Sequence, residues 1–282
     1  MPNLRELRSR IRSIESTSRV TKALQMIAAA KMKKAQDKVL DGRAYVEKLN
    51  AIIGNVYQSN PEVFSSISED EKNKILVLLV TPDRGLCGAL VSNILKEASN
   101  FIESINNDYE IRVIGKKGTS FISKTVDNYE SYKVSDMPTF EEVSPITSSI
   151  SNDINLIGFA KVFIIYTEFV STAVQKPKIK QLLPVEIDFN ENEKVNNEFL
   201  YEPSLDKVSE ALIPRYVETS IFNSILDSVA SEHSARLVAM QNATDNANEL
   251  KQDLTLDLNK ARQQQVTSEI LDIVGGALAL EE

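Results

Sequence analysis

Residue types that commonly perform catalysis or bind metals are scarce in this sequence. Its 282 residues include one histidine, His233, and one cysteine, Cys87. A zinc site usually takes about four His, Cys or carboxylate ligands, and a single His and a single Cys cannot supply the usual set. We therefore expect no metal site. His233 lies on a helical seam and is expected to pack there, and Cys87 is expected to be a small buried hydrophobe.

Two glycine-containing turns are candidate phosphate sites. Gly115-Lys-Lys-Gly-Thr119 and Gly85-Leu-Cys-Gly88 each follow an apolar run typical of a strand. Neither turn matches G-x-G-x-x-G, and the loop G-x-x-x-x-G-K-[ST] is absent from the sequence. Because tight strand-to-helix turns need glycine in any case, the structural interpretation is simpler. An enzyme with a Rossmann-like nucleotide domain stays open as an alternative.

Charge is distributed unevenly along the chain. The sequence carries 32 Lys and Arg against 40 Asp and Glu, a net charge of −8. Residues 1–43 hold 11 basic and 4 acidic side chains, so this segment carries +7 and the remainder −15. A basic segment on an acidic body predicts a docking surface for an acidic partner, although a solvated helix face is the simpler alternative for Lys31, Lys33 and Lys34. The acidic remainder would repel nucleic acid, so none is expected as a partner.

Both ends of the chain have the pattern of long helices. No proline interrupts residues 3–60, and none follows Pro214. In both flanks apolar residues recur at alternating spacings of four and three, which is typical of a coiled-coil strand. Residues 1–58 and 204–282 are therefore predicted to be two helices that pair as an antiparallel coiled coil.

One part of the first seam is polar. Ser18, Thr21 and Gln25 occupy seam positions where the pattern calls for apolar residues. Val20, Leu24 and Ile27 lie on a neighbouring face of the same helix. We expect the apolar contact surface to shift onto that face here.

The centre, residues 72–190, has the alternation of an α/β domain. Ile75–Val80, Ile111–Gly115 and Val162–Thr167 are short apolar runs typical of buried strands, and helix-like stretches separate them. Strand and helix in alternation predict a parallel, Rossmann-like α/β sheet. Residues 188–200, rich in Asn and Glu, are predicted to be a surface loop. The fold class is thus α/β, with a long coiled coil added.

Several long strings resemble one known family. The amino-terminal flank contains Thr17-Ser-Arg-Val-Thr-Lys-Ala-Leu-Gln-Met-Ile-Ala-Ala-Ala-Lys-Met-Lys-Lys-Ala-Gln36. The carboxy-terminal flank contains Ser231-Glu-His-Ser-Ala-Arg-Leu-Val-Ala-Met-Gln-Asn-Ala-Thr-Asp-Asn-Ala247 and Asn259-Lys-Ala-Arg-Gln263. The centre contains Asp83-Arg-Gly-Leu-Cys-Gly88 and Gln181-Leu-Leu-Pro184. Taken in their order along the chain, these strings resemble the gamma subunit of F-type ATP synthase, and the resemblance covers nearly the whole chain.

The resemblance implies a rotor with no catalytic residue and no bound cofactor. Gamma subunits form the central stalk, whose coiled coil turns inside a ring of three alpha and three beta subunits. Ion-driven rotation of the membrane c ring is thereby coupled to ATP synthesis or hydrolysis at the beta sites. The implied partners are alpha, beta, epsilon and the c ring. The implied location is peripheral, at the cytoplasmic face of the bacterial inner membrane.

The resemblance also assigns roles to individual residues by their match to family signatures. Contacts with the beta subunit are implied for Lys31, Lys33, Lys34, Arg84, Cys87, Arg262 and Gln263. Contacts with the c ring and epsilon are implied for Tyr201 and Glu202, and coil register for Leu24, Arg236 and Glu269. The apolar tail from Ile273 to Leu280 is implied to turn in a hydrophobic bearing.

Composition limits the remaining possibilities. The longest strongly apolar run, Ile75–Val80, is far shorter than the roughly 20 residues of a spanning helix, so direct membrane insertion is not expected. A single cysteine fits a reducing compartment. A non-rotary coiled-coil scaffold is the second alternative, which would assemble with itself rather than with alpha and beta subunits.

Overall fold

The computed structural model describes residues 4–59, 74–154, 158–185, 201–202 and 204–280. Within these residues, ten elements follow one another. They are α1 (Leu4–Ser59), β1 (Ile75–Val80), α2 (Leu90–Ser104), β2 (Tyr109–Ile114), α3 (Lys116–Ile122), β3 (Tyr129–Tyr132), α4 (Phe140–Asp153), β4 (Lys161–Phe169), β5 (Gln175–Leu183) and α5 (Leu205–Leu280). None of the helices described is long and apolar enough to cross a membrane. The predicted loop at 188–200 lies outside the described residues.

The five strands form one sheet in the order β3-β2-β1-β4-β5. β1, β2, β3 and β4 run parallel, and β5 pairs antiparallel with β4. The prediction of an α/β fold is confirmed, and three of the strands lie where the apolar runs indicated. The edge strands β3 and β5 were not predicted. β5 reads Gln-Lys-Pro-Lys-Ile-Lys-Gln-Leu-Leu, a largely polar strand whose Pro177 is tolerated at a sheet edge.

The central strand β1 contributes to two cores because every residue in it is buried. Leu76, Leu78 and Val80 face a core that α1, α4 and α5 complete. Ile75, Val77 and Leu79 face a second core with α2 and α3. The terminal helices therefore cover one face of the sheet, and the crossover helices α2 and α3 cover the other.

The chain divides into two compact units that do not coincide with the three predicted segments. One unit combines α1 up to Ile27 with α5 from Leu237, and the other contains Ala28–Arg236. In the first unit, Glu15 pairs with Lys251 at 3.4 Å and Ser18 donates to Asn248 at 2.8 Å. Residue numbers rise along α1 as they fall along α5, so the two helices run antiparallel, as predicted.

The expected shift of the apolar face near Ser18 is wrong. Thr21 is buried at its seam position, with its hydroxyl oxygen 2.7 Å from that of Thr244. Val20 and Ile27 are 56% and 52% exposed, while Leu24 is half-buried. The seam keeps its spacing through the polar cluster because one threonine hydroxyl donates to the other, and the accepting hydroxyl donates to a carbonyl of its own helix.

Candidate partner-binding surfaces

The turn after β1 presents one basic and one apolar side chain to solvent. Arg84 is exposed, and Leu86 is 64% exposed with a backbone φ of +63°, which is uncommon for a residue other than glycine. Cys87 is only 1% exposed and packs beside Leu90 and Ala235. The expectation that Cys87 is a small buried hydrophobe is confirmed. The surface that this turn offers to a partner therefore consists of Arg84 and Leu86.

A buried polar network lies beneath the turn. Arg236 donates from Nη2 to the Gly85 carbonyl at 3.2 Å and to Glu232 Oε1 at 2.6 Å. Its Nη1 lies 3.3 Å from Nδ1 of His233, a side chain that is 2% exposed. His233 Nε2 lies 3.3 Å from the Asp136 carbonyl oxygen. The predicted packing role of His233 thus comes with specific polar partners.

Burial dominates the electrostatics of this network. It raises the pKa of the Cys87 thiol, although the nearby Arg236 charge acts in the opposite direction. Burial also raises the pKa of Glu232 against the attraction of Arg236. The pKa of His233 is lowered, first by burial and further by the charges of Arg236 and Lys31. A neutral imidazole is therefore favoured at physiological pH.

The four lysines of α1 between residues 31 and 38 fall into two groups. Lys31 Nζ pairs with Asp136 at 2.6 Å, and Lys38 Nζ donates to the Pro138 carbonyl at 3.0 Å. The hydrogen bond from Lys31 lowers the pKa of Asp136. Lys33 and Lys34 are exposed to solvent. Two lysines thus anchor the 136–138 loop to α1, and two remain available to a partner.

The far part of α5 is exposed. Arg262 and Gln263 are both exposed, and the Gln263 carbonyl accepts from the Thr267 hydroxyl at 2.9 Å. Glu269 accepts from Gln265 Nε2 at 2.8 Å within the same helix. Ile273 is 71% exposed, and the side chains from 275 onward lie outside the description. Apolar residues on an exposed helix indicate a surface that a partner covers.

The predicted foot is only partly described. Tyr201 is half-buried and packs against the main core of the sheet, whereas Glu202 is exposed. Residue 203 lies outside the described residues. The aromatic ring is thus anchored by the core, and the carboxylate is free to face a partner.

The glycine turn at 115–119 is required for close packing. A Cβ on Gly115, whose φ is +99°, would lie 1.9 Å from the Thr81 carbonyl oxygen. The backbone N–H of Gly118 donates to Thr81 Oγ1 at 2.8 Å, and that of Lys116 donates to the Asp83 carboxylate at 2.8 Å. A carboxylate already occupies the position where a phosphate would bind. The cavity at this edge of the sheet holds about 40 Å³, far below the roughly 300 Å³ of a small-molecule pocket.

Metal binding receives no support either. Within the described ranges, no group of three or more His, Cys, Asp or Glu side chains could hold a metal ion.

Known sequences resemble this chain along its whole length. The family described as ATP synthase matches residues 3–280. An ATP synthase gamma chain from Dehalococcoides mccartyi is 44% identical over 286 residues, covering 99% of this chain and 100% of the relative. This chain belongs to the ATP synthase gamma family. A gamma chain from Roseiflexus castenholzii is 39% identical over 290 residues and covers 100% of both chains.

Solved structures agree with the gamma-family assignment. The central stalk of the Tetrahymena thermophila mitochondrial ATP synthase matches with a TM-score of 0.62 at 26% identity, over 79% of this chain and 99% of that one. A chain of the Euglena gracilis mitochondrial ATP synthase has the same fold, with a TM-score of 0.67 at 20% identity over 98% and 94% of the two chains. The resemblance found in the sequence is confirmed. As a gamma chain, the protein is a non-catalytic subunit of the central stalk.

Several residues that shape these gamma-family surfaces were not predicted as site residues. Glu232 lies within a family string but was assigned no role, and its partner Arg236 is four positions away. Asp136 lies in no such string, and its role depends on Lys31, 105 positions away along the chain. Leu86 lies inside the Arg84–Gly88 string, but neither its exposure nor its positive φ is predictable from the sequence. The only sequence signal was its position between two glycines in a turn after a strand.

Proposed function

We propose that this gamma-family chain is the rotating shaft of a bacterial ATP synthase. It couples rotation of a c ring to ATP synthesis and hydrolysis at the beta subunits. Three alpha and three beta subunits surround its coil, and epsilon and the c ring hold its other end. The complex is attached peripherally at the cytoplasmic face of the inner membrane.

The long helices are the observation that carries this proposal. α5 spans 76 residues and α1 spans 56, far more than the average of about 11 residues. Antiparallel pairing between them provides a stiff element that resists twisting. A single shaft in a ring of three catalytic subunits must contact each of them differently, and such differential contacts are what bias conformational states.

Contacts with beta are assigned to four exposed basic side chains and one amide. Lys33, Lys34 and Arg84 would face acidic groups of beta, and Arg262 with Gln263 would hydrogen-bond a second beta segment. Lys31 and Cys87 support these contacts from within the chain. Lys31 does so through Asp136, and Cys87 by packing beneath the turn.

The remaining assignments concern the foot and the coil. Tyr201 and Glu202 would meet the c ring and epsilon, with the tyrosine ring anchored by the core. Leu24, Arg236 and Glu269 would keep the coil in register. Leu24 fits because it lies in the segment where Thr21 meets Thr244. The apolar tail beyond Ile273 would turn against an apolar sleeve of the ring.

Reconstitution tests the proposal. Purified alpha and beta subunits are mixed with the chain, and ATP hydrolysis is compared with the mixture that lacks it. We expect hydrolysis to depend on the chain and to fall in the double variant Arg262→Ala, Gln263→Ala. The control is Lys260→Ala, Gln264→Ala, which alters exposed residues on another face of α5. Equal hydrolysis without the chain would overturn the proposal.

A further inference from the structure

The polar network beneath the 84–88 turn contains hydrogen bonds that the proposed rotor role does not explain. It joins side chains or backbone groups from α1, the turn, the 136 loop and α5. Arg236 is its centre and contacts Gly85, Glu232 and His233. The family resemblance assigned this arginine to coil register. Its contacts indicate a second task within the unit formed by Ala28–Arg236.

The guanidinium is fixed by three different acceptors. Nη2 and Nε reach the Gly85 carbonyl at 3.2 and 3.4 Å, and Nη2 also reaches Glu232 at 2.6 Å. Nη1 meets the His233 ring at 3.3 Å. A planar fork held at several of its N–H groups has one orientation, which a lysine ammonium would not reproduce.

The turn needs such support because Leu86 adopts a left-handed backbone conformation. A leucine at φ +63° is strained, and such residues persist only where their surroundings hold them. The bonded carbonyl of Gly85 immediately precedes Leu86. The hydrogen bond therefore acts on the peptide group whose rotation would relax the strain, and the turn encloses Cys87.

The arginine also determines which nitrogen of His233 carries the proton. Guanidinium groups only donate hydrogen bonds, so Nδ1 must be the acceptor and Nε2 must donate to the Asp136 carbonyl. Protonation would place a second N–H on Nδ1, facing Nη1 of Arg236. The hydrogen bond would be lost and two positive charges would meet.

The charged groups around His233 come from all the elements packed against it. α1 contributes Lys31, and the 136 loop contributes Asp136. α5 contributes Arg236. In the next layer, Asp83 of the turn acts on the pKa of Glu232, and Arg84 of the turn acts on that of Asp136. Glu232 and Asp136 are already paired with Arg236 and Lys31. Asp136 favours a charged imidazole through its carbonyl and its charge, but burial together with Arg236 and Lys31 outweighs it, so the pKa of His233 is lowered.

We propose that Arg236 is the positioning residue of the 84–88 turn, and that neutral His233 is the acceptor that holds its guanidinium there. Arg236 thereby sets the direction in which Arg84 and Leu86 face a partner. Protonation of His233 releases the guanidinium and loosens the turn. The consequence for the beta subunit rests on the proposed function, but the effect on the turn does not.

The pH at which the turn loosens follows from the environment of His233. Burial and the neighbouring cations lower the pKa of the imidazole below its ordinary value. The folded turn therefore keeps His233 neutral to a lower pH than an ordinary histidine, and we expect release as the pH falls further. A turn held without His233 would show no such transition.

The native cysteine provides a site-specific probe of the turn. Cys87 is the chain's only cysteine and is buried. Its labelling by dithiodipyridine in the full chain is compared with labelling of the urea-unfolded chain at the same pH, which gives a protection factor. We expect Arg236→Met to lower protection at pH 7.5 by at least about tenfold, because charge-assisted hydrogen bonds are lost. Lys96→Met, which removes an exposed charge on α2, serves as control.

Two conservative variants separate positioning from general instability. Arg236→Lys keeps the charge and the apolar stem but not the fork, so we expect protection between wild type and Arg236→Met. His233→Gln keeps an acceptor for Arg236 and does not titrate. Its protection should equal the wild type at pH 7.5 and lack the wild-type loss at acid pH. Circular dichroism at each pH excludes global unfolding.

The outcomes are distinct. Protection in Arg236→Met equal to that in Lys96→Met, or the same acid transition in His233→Gln and wild type, would overturn the inference. Reconstituted complexes carrying Arg236→Met test the proposed function separately. If Cys87 becomes reactive while ATP hydrolysis keeps its wild-type rate, the positioning role stands and the contact between this turn and beta is contradicted.

Discussion

Thr21 and Thr244 face each other in the seam between α1 and α5, with their hydroxyl oxygens 2.7 Å apart. Each hydroxyl also contacts a carbonyl of its own helix, at Ser18 and Met240. A polar pair at one position of an apolar seam specifies register, because any slip would leave both groups against apolar neighbours.

Replacing the two threonines tests this pairing. Thr21→Val and Thr244→Val should each lower the free energy of unfolding by about 0.5–1.5 kcal/mol, the net contribution of a hydrogen bond. The double variant should cost less than the sum of the singles, because both partners are then apolar and of similar shape. Chemical denaturation provides the double-mutant cycle, with exposed Thr17→Val as control. Additive single effects would contradict the pairing.

The inward face of α1 can be tested beside its outward face. Ala28 is 1% exposed, so Ala28→Leu should overpack and lower the free energy of unfolding by about 1–3 kcal/mol. Ile27→Ser, on the exposed face, should stay within about 0.5 kcal/mol of wild type. Thermal unfolding of the isolated chain measures both. The reverse ranking would restore the shifted apolar face that the sequence predicted.

The two glycine turns should respond differently to alanine. Gly115→Ala should destabilise the chain by at least about 2 kcal/mol, because it places a Cβ at a positive φ and against the Thr81 carbonyl. Gly85→Ala should be tolerated, since a Cβ there meets nothing within 4 Å. Denaturant titration measures the free energy of unfolding of both variants. A folded, equally stable Gly115→Ala chain would contradict the packing role.

The ion pair between Lys31 and Asp136 should contribute to stability in a pH-dependent way. Because the folded carboxyl has a lowered pKa, its contribution is present above the unfolded pKa and is lost as the pH falls through the folded value. Lys31→Met should cost about 0.2–1 kcal/mol at pH 7, since the pair is partly exposed, and the difference from wild type should vanish in acid. Lys33→Met should show no such pH dependence. A constant difference at all pH values would contradict the pairing.

The exposed lysines should affect assembly rather than folding. Lys33→Ala, Lys34→Ala should weaken association with alpha and beta subunits and reduce the salt dependence of that association, because two charges leave the interface. The free energy of unfolding of the isolated chain should not change. Lys96→Ala is the matched control on another helix. Unchanged association at low salt would remove these lysines from the contact.

The sequence predicted the features that repeat or are strongly apolar. β1 is six apolar residues in a row, and both flanks keep a coiled-coil period for many turns. β3 and β5 were missed because edge strands bury only part of their side chains, so Pro177 and the lysines of β5 conceal it. The prediction that the contact surface shifts onto Val20 and Ile27 was wrong. It considered only the hydrophobicity of the side chains, whereas a hydrogen bond allows Thr21 to be buried in the seam.

The family strings predicted the candidate surfaces. They did not predict which residues of a surface are exposed to a partner and which are paired within the chain. Lys31 and Lys33 have the same chemistry in the sequence, and only Asp136, 105 residues away, distinguishes them. Arg236 likewise lies in a family string, but its proposed role in positioning the turn depends on its hydrogen bond to the Gly85 carbonyl, 151 residues away. Such contacts depend on tertiary structure, which local patterns do not encode.

Rotation of the chain is the central claim, and it can be observed directly. The complex of alpha, beta and this chain is tethered through beta, and a bead is attached to a cysteine introduced at exposed Lys117. With buried Cys87 protected from labelling, addition of ATP should drive the bead in one direction with three pauses in each turn. ATP hydrolysis at the normal rate with a stationary bead would contradict the account.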